Sequence, residues 1–267
     1  MNEFEVHLFS TGSINIFLEN ALSHFTNQLP EVLYLEGEWA VALSEISYPT
    51  AIKNITGGRF LQITKYRDIS GQVSHSYKSA RAIKPGVYEK IDDLLDAIKE
   101  ESLGSWRATT DDVTRQLEFE MDDEDETLRF YSREIPNILG FDSPNLEKYG
   151  YLEINGDRGI VKGDYPVDIM AGRHFMFVYM NGIEYQFVGD TKAPMLRVIT
   201  LNSRMKNGCI NHTQPIQHET FQDLQFRKVL SNNFSSLNIE LRNENGEYVP
   251  FLGNGAVTIT LKFKKIK

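Results

Sequence analysis

Phe4, Val6 and Leu8 recur with a period of two, which predicts an opening strand with one apolar face. Ile14, Ile16 and Leu18 repeat the pattern after Thr11-Gly12 and predict a second strand. Trp39, Val41 and Leu43 alternate again, but Ala40 and Ala42 between them are also apolar. That strand is therefore expected to be covered on both faces and to lie centrally. Tyr48-Pro49 should end it, because proline cannot donate to a ladder and biases its neighbour away from regular structure.

One segment changes period. After Pro85-Gly86, Ile91, Leu94, Leu95 and Ile98 fall at helical spacing, with Asp92, Asp93, Asp96, Lys99 and Glu100 on the opposite face. Leu117, Phe119 and Met121 then return to strand period and run into an acidic stretch, 118–126, after which Leu128 and Phe130 resume the alternation. The pattern predicts a hairpin with a solvated acidic tip. A cation site in this run is the competing reading, but the glycine and distal glutamate of a calcium loop are missing.

From about 135 to 170 the chain is rich in Gly, Pro, Asp and Asn, including Ser143-Pro144-Asn145 and Asn155-Gly156-Asp157, which marks a boundary built of tight turns. Phe175, Phe177 and Tyr179 then alternate into Asn181-Gly182, and Ile183, Tyr185 and Phe187 alternate out. Asn-Gly suits a two-residue type I′ hairpin, because both central positions need positive φ. Met176, Val178 and Met180 make the opposite face of the incoming strand apolar too. Either that strand is buried on both sides or one face meets another subunit. Leu237, Ile239 and Leu241 lead to Asn245-Gly246, and Val257, Ile259, Leu261 and Phe263 form a final strand. Many short strands around one helix predict a mainly β protein: an antiparallel β-sandwich of jelly-roll type carrying an inserted α+β segment. The change of period places residues 1–55 and 165–267 in the sandwich and 56–164 in the insertion.

Composition narrows the functional classes. Of 267 residues 41% are apolar and 24% charged, enough to bury a core without a cofactor. The formal charge of -9 argues against a protein whose main task is wrapping nucleic acid. Cys209 is the only cysteine, so no intrachain disulfide is expected. Met1–Glu5 lacks a basic region followed by an apolar one, so secretion is not expected, and no apolar run approaches the roughly 20 residues of a membrane span. Without secretion, the glycosylation triplets beginning at Asn54, Asn211 and Asn233 are chance.

Catalytic chemistry finds no anchor. Cys209, His212 and His218 come nearest to a metal cluster but lack a fourth ligand and any recognisable spacing, so no metal and no cofactor are expected. Gly57-Gly58-Arg59 has no following helix to cradle a phosphate and reads as a turn. Most aromatic residues sit at strand period, where core packing is the simpler account. Two surface features stand out. The apolar hairpin carrying Phe175, Phe177, Tyr179, Tyr185 and Phe187 is a self-assembly surface candidate. The tail Lys262, Lys264, Lys265 and Lys267 either protects a terminal edge strand or contacts an acidic partner or nucleic acid.

Asn20-Ala21-Leu22-Ser23-His24-Phe25-Thr26-Asn27-Gln28-Leu29-Pro30, followed by Leu35, Gly37, Trp39, Val41, Leu43, Glu45, Ile46 and Tyr48-Pro49, resembles the N-terminal signature of penton proteins of Polinton/Maverick elements, adintoviruses and related DNA viruses. Ile138-Leu139-Gly140-Phe141, Val188-Gly189-Asp190-Thr191 with Ala193-Pro194, and Val249-Pro250-Phe251 are similar to that family in the same order. The resemblance implies a non-enzymatic minor capsid protein, found in the virion and made in the host cell. It also implies a jelly roll that forms homopentamers at icosahedral vertices beside a double-jelly-roll major capsid protein. Two other classes stay open: a β-sandwich that binds a glycan or receptor, and an enzyme of unrecognised type.

Overall fold

The computed structural model describes residues 2–267 except 68–72, 78–80, 103–105, 123–124, 143–150, 156–158, 202–204, 207–208, 211–214 and 254; for 59, 61–67, 73–77, 205–206 and 209–210 only the backbone is described. The chain divides into two compact units. The first comprises Met1–Ile52, Gly172–Arg204 and Asn211–Lys267, and the second Lys53–Ala171 with Met205–Ile210.

The first unit opens with β1 (Glu3–Phe9), β2 (His24–Tyr34) and β3 (Trp39–Pro49). The second follows with β4 (Gly58–Arg67), β5 (Val73–Tyr77), β6 (Arg81–Ile83), α1 (Ile91–Ser102), β7 (Trp106–Thr110), β8 (Gln116–Met121), β9 (Glu126–Phe130), α2 (Glu134–Ile138), β10 (Leu152–Asn155) and β11 (Ile160–Pro166). The first unit resumes with β12 (Phe175–Met180), β13 (Gln186–Val188), β14 (Thr191–Ala193) and β15 (Met195–Thr200). Beyond β16 (Met205–Lys206) and β17 (Cys209–Ile210) come β18 (Ile216–Thr220), β19 (Arg227–Lys228), β20 (Asn233–Arg242) and β21 (Thr258–Lys265).

Strand order identifies the first unit. One sheet runs β1-β21-β3-β18, with β19 also on β3, and the other runs β15-β12-β20-β2; every pairing is antiparallel. With β18 and β19 taken as one interrupted strand along β3, and the eight positions renumbered by chain order, the sheets read 1-8-3-6 and 5-4-7-2. That is the jelly-roll order. Its core is the interdigitated inner faces: Leu8, Val41, Leu43, Leu261 and Phe263 from one sheet, and Phe25, Met176, Val178, Met180, Leu196, Ile239 and Leu241 from the other. β3 is central, and Ala40 and Ala42 are buried as their apolar character required. Ser44 occupies a bulge where β3 meets β21, and its hydroxyl donates to the Thr260 carbonyl at 3.0 Å.

The second unit has its own core. A three-stranded sheet, β11-β8-β7, and a sheet β10-β9-β4-β5, with β6 on β4, enclose Phe60, Trp106, Phe119 and Phe130 with Leu94, Leu95 and Ile98 of α1. The Trp106 ring lies 5.0 Å from Phe119, and its indole N–H donates to Ser102 Oγ at 2.8 Å. No helix among the described residues is long and apolar enough to cross a membrane.

Three expectations from the pattern are corrected. Ile14, Ile16 and Leu18 are not a strand but an exposed loop between β1 and β2. Two buried-edge asparagines override the alternation. Asn20 Nδ2 donates to the carbonyls of Gly12 (3.0 Å) and Thr26 (2.9 Å), while Asn27 both accepts from and donates to the Phe9 backbone. The acidic hairpin does not form either: β8 pairs with β7 and β11, whereas β9 pairs with β4 and β10, so the two strands belong to different sheets. Lastly, Asn181-Gly182 is a turn but not a hairpin. Both edges of β12 are occupied by β15 and β20, and Ile183 instead enters the core and bridges Val229. Glycine is needed there for another reason: φ is 78°, and a Cβ would lie 2.5 Å from Phe234 Cε1.

Candidate assembly surfaces

Alternation along β12 points Met176, Val178 and Met180 inward, so Phe175, Phe177 and Tyr179 face away from the core. Phe175 is 38% exposed and the other two are half-buried. In register, Phe177 lies opposite Val198 on one side and Arg242 on the other, and Tyr179 opposite Met195 and Glu240. Glu240 holds Arg242 at 2.8 Å, Arg242 donates to the Gly246 carbonyl at 2.6 Å, and its guanidinium sits 4.4 Å from the Tyr248 ring. Tyr248 in turn stacks on His24 at 4.4 Å. Burial, opposed by Arg242 and aided by the Glu240 carboxylate, pushes the Tyr179 phenol above its ordinary value.

The five residues expected on one hairpin are split. Tyr185 (61% exposed) and Phe187 (80% exposed) belong to the connection between β12 and β15, where β13 and β14 form a separate two-stranded ribbon. Lys192 from β14 covers the Phe187 ring at 4.9 Å. The alternation missed the β1–β2 loop, where Leu18 is 86% exposed. The paired asparagines at 20 and 27 were the available signal.

The lysine tail is not on an edge, since β21 lies between β1 and β3. Lys262 pairs with Glu3 at 3.1 Å and Lys264 reaches the same carboxylate at 3.9 Å, while Lys265 is half-buried and Lys267 exposed. Individual cations also meet the acidic run: Lys162 pairs with Glu118 at 3.0 Å, and Arg107 with Asp122 at 3.3 Å and Glu120 at 3.9 Å. Asp123 and Glu124 lie outside the described residues, and among those described no three His, Cys, Asp or Glu side chains converge for a metal.

Other sequence candidates resolve into structure. His218 sits on β18 with Nδ1 2.8 Å from Ser47 Oγ, whereas His212 and the Cys209 side chain lie outside the described residues. The amides of Thr56 and Gly57 donate to Glu134 Oε2, so that turn already holds a carboxylate. Asn54 is fully buried and donates to the carbonyls of Tyr88 and Ile169, which makes it a strut and not a glycan acceptor. The triplet at Asn211, with the turns 143–145 and Gly156-Asp157, falls outside the described residues.

No protein-family model matches the chain, and no curated protein sequence does. Among solved structures, the mavirus penton protein superposes with a TM-score of 0.49 and 10% identity, covering 100% of both chains. A chain in the structure of the Sputnik virophage gives a TM-score of 0.49 and 9% identity, covering 99% of this chain and 98% of that one. One of the two is a penton protein by name. The jelly-roll assignment for this chain rests on its own strand order.

Proposed function

We propose that this protein is a non-enzymatic building block of a viral capsid, a penton-type minor capsid protein that forms pentamers at icosahedral vertices beside a double-jelly-roll major capsid protein. One observation carries the reading: a jelly roll whose core is complete nevertheless leaves Phe175 on the outer face of one sheet, and Tyr185 and Phe187 on the connection that follows it, exposed. Exposed aromatic side chains beyond a complete core suit contact with another protein. The penton-like signature supports it with residues that have structural work, since Asn20 and Asn27 fasten the loop leading into β2. A ring requires heterologous contacts, one patch meeting a different patch on the next copy, and Phe175, Phe177, Tyr179, Tyr185 and Phe187 supply one of the two. The second unit, with its own core, is the decoration inserted into this ring-forming module. Lys262 and Lys264, which share Glu3, brace the surface, and the tail is not assigned a nucleic-acid partner.

The test is the assembly state of the full chain, alone and with its major capsid protein, by analytical ultracentrifugation and electron microscopy. Five-membered rings or occupied vertices are expected. A monodisperse monomer at high concentration that never enters shells would defeat the proposal.

A further inference from the structure

The two edge strands of the β15-β12-β20-β2 sheet each adjoin an exposed apolar projection. At the β2 edge, the β1–β2 loop walls an open groove with His24 and Tyr248 and carries Leu18 at its tip. At the β15 edge, β14 of the Phe187 ribbon runs through Pro194 into the edge strand. Leu18 and Phe187, 86% and 80% exposed, are the two most exposed large apolar side chains among the described residues of this unit. One cross-strand row, His24 on β2, Glu240 on β20, Tyr179 on β12 and Met195 on β15, joins the two edges. The loop adjoins its His24 end and the ribbon feeds its Met195 end, so the projections stand at one level on opposite flanks.

We propose that the loop of one copy, through Leu18 and Glu19, meets the ribbon of the next copy, through Phe187 and Lys192. This rests on the capsid reading and names the second of the two patches that a heterologous contact needs. A closed ring repeats the chain by rotation without rise, and that operation joins patches at one level on opposite flanks. Charge fits as well. Glu19 follows Leu18 and is exposed, while Lys192 lies 4.9 Å from the centre of the Phe187 ring. Neither charge has an ion-pair partner among the described residues. An apolar tip beside a carboxylate is therefore offered to an aromatic tip beside an ammonium, which sets both partner and orientation. The loop is also fixed before contact. The Ser13 carbonyl, at a residue with φ 54°, accepts from the amides of Ile16 (3.0 Å) and Phe17 (2.9 Å), and the Ser13 hydroxyl accepts from the Gln28 amide at 2.9 Å. A loop already held loses little conformational freedom on association.

The test is charge reversal in the full chain, read by sedimentation velocity over a concentration series, with thermal melts to check folding. Glu19→Lys sets two cations against each other and Lys192→Glu two carboxylates. Each is expected to raise the concentration needed for assembly about tenfold or more. The double variant restores opposite signs and is expected to recover assembly, which a general loss of stability would not produce. Leu18→Ser should weaken assembly about three- to tenfold at an unchanged melting temperature. Single reversals that assemble like the unaltered chain, or a double variant no better than the singles, overturn the contact. Five-membered rings that persist through every substitution overturn it and leave the capsid reading intact. A chain that stays monomeric alone overturns it too, and occupied vertices beside the major capsid protein would then still sustain the capsid reading. Open oligomers that obey the charge exchange sustain the contact and defeat the fivefold ring.

Discussion

Two sheets, one in each unit, present different outer faces. In the second unit Phe60, Trp106, Phe119 and Phe130 are buried while Tyr131 and Tyr165 are exposed, and on the β11-β8-β7 sheet Lys162 meets Glu118 and Arg107 meets Glu120 and Asp122 beside the exposed Ile160. In the first, the core is equally complete, yet the sheet face opposite it carries Phe175, Phe177 and Tyr179, and Phe187 on the separate β13-β14 ribbon is exposed as well. A charged outer face satisfies itself in water. An aromatic one leaves apolar area that association can bury, at roughly 25 cal/mol for each Å² removed from water. Burial gives one set of rings a part in stability, and under the capsid proposal the exposed set serves assembly.

Truncating a ring in each unit tests this most directly. Phe119→Ala removes a fully buried ring packed against Trp106 and Phe141, and is expected to cost about 3–5 kcal/mol in denaturant unfolding. Phe187→Ala, at a ring 80% exposed, should change monomer stability by no more than about 0.5 kcal/mol while lowering ring formation in sedimentation. Equal stability losses would erase the distinction. Gly182→Ala comes next. It forces a left-handed φ on alanine and drives a methyl into Phe234, so about 1–3 kcal/mol should be lost in a thermal melt. Within the charged ladder, Lys162→Ala should cost about 1 kcal/mol or less, and the difference should shrink in high salt.

The smallest effect is read by pH. The backbone amide of Thr114, then its hydroxyl and the Val113 amide, donate to Asp111 and hold its carboxyl below the ordinary value. A depressed folded-state pKa stabilises the protein above the usual carboxylate pKa, and the contribution fades as pH falls towards the folded value. Asp111→Asn should therefore flatten the acid limb of the stability profile, measured as the urea midpoint from neutral pH downwards. An unchanged limb would show that this turn carries no pH dependence.

Much of the strand inventory was legible because alternation reports which face is buried. β1, β3, β12, β20 and β21 lie where Phe4-Val6-Leu8, Trp39-Val41-Leu43, Phe175-Phe177-Tyr179, Leu237-Ile239-Leu241 and Ile259-Leu261-Phe263 put them, and α1 where the helical spacing did. Pairing was not legible. Asn181-Gly182 has ideal hairpin chemistry, but a two-residue turn closes a hairpin only if the outgoing strand finds a free edge, and β15 and β20 had taken both edges of β12. The acidic segment failed similarly, because nothing local says that β8 and β9 belong to different sheets. Ile14, Ile16 and Leu18 carried the period of a strand while distant backbone groups, reached by Asn20 and Asn27, held them in a loop. The sequence by itself determined the local period, and with it which side of each strand turns inward. Only the tertiary structure decided which strands are neighbours and what their outer faces share, because hydrogen-bond partners and groove walls join residues as far apart as His24 and Tyr248.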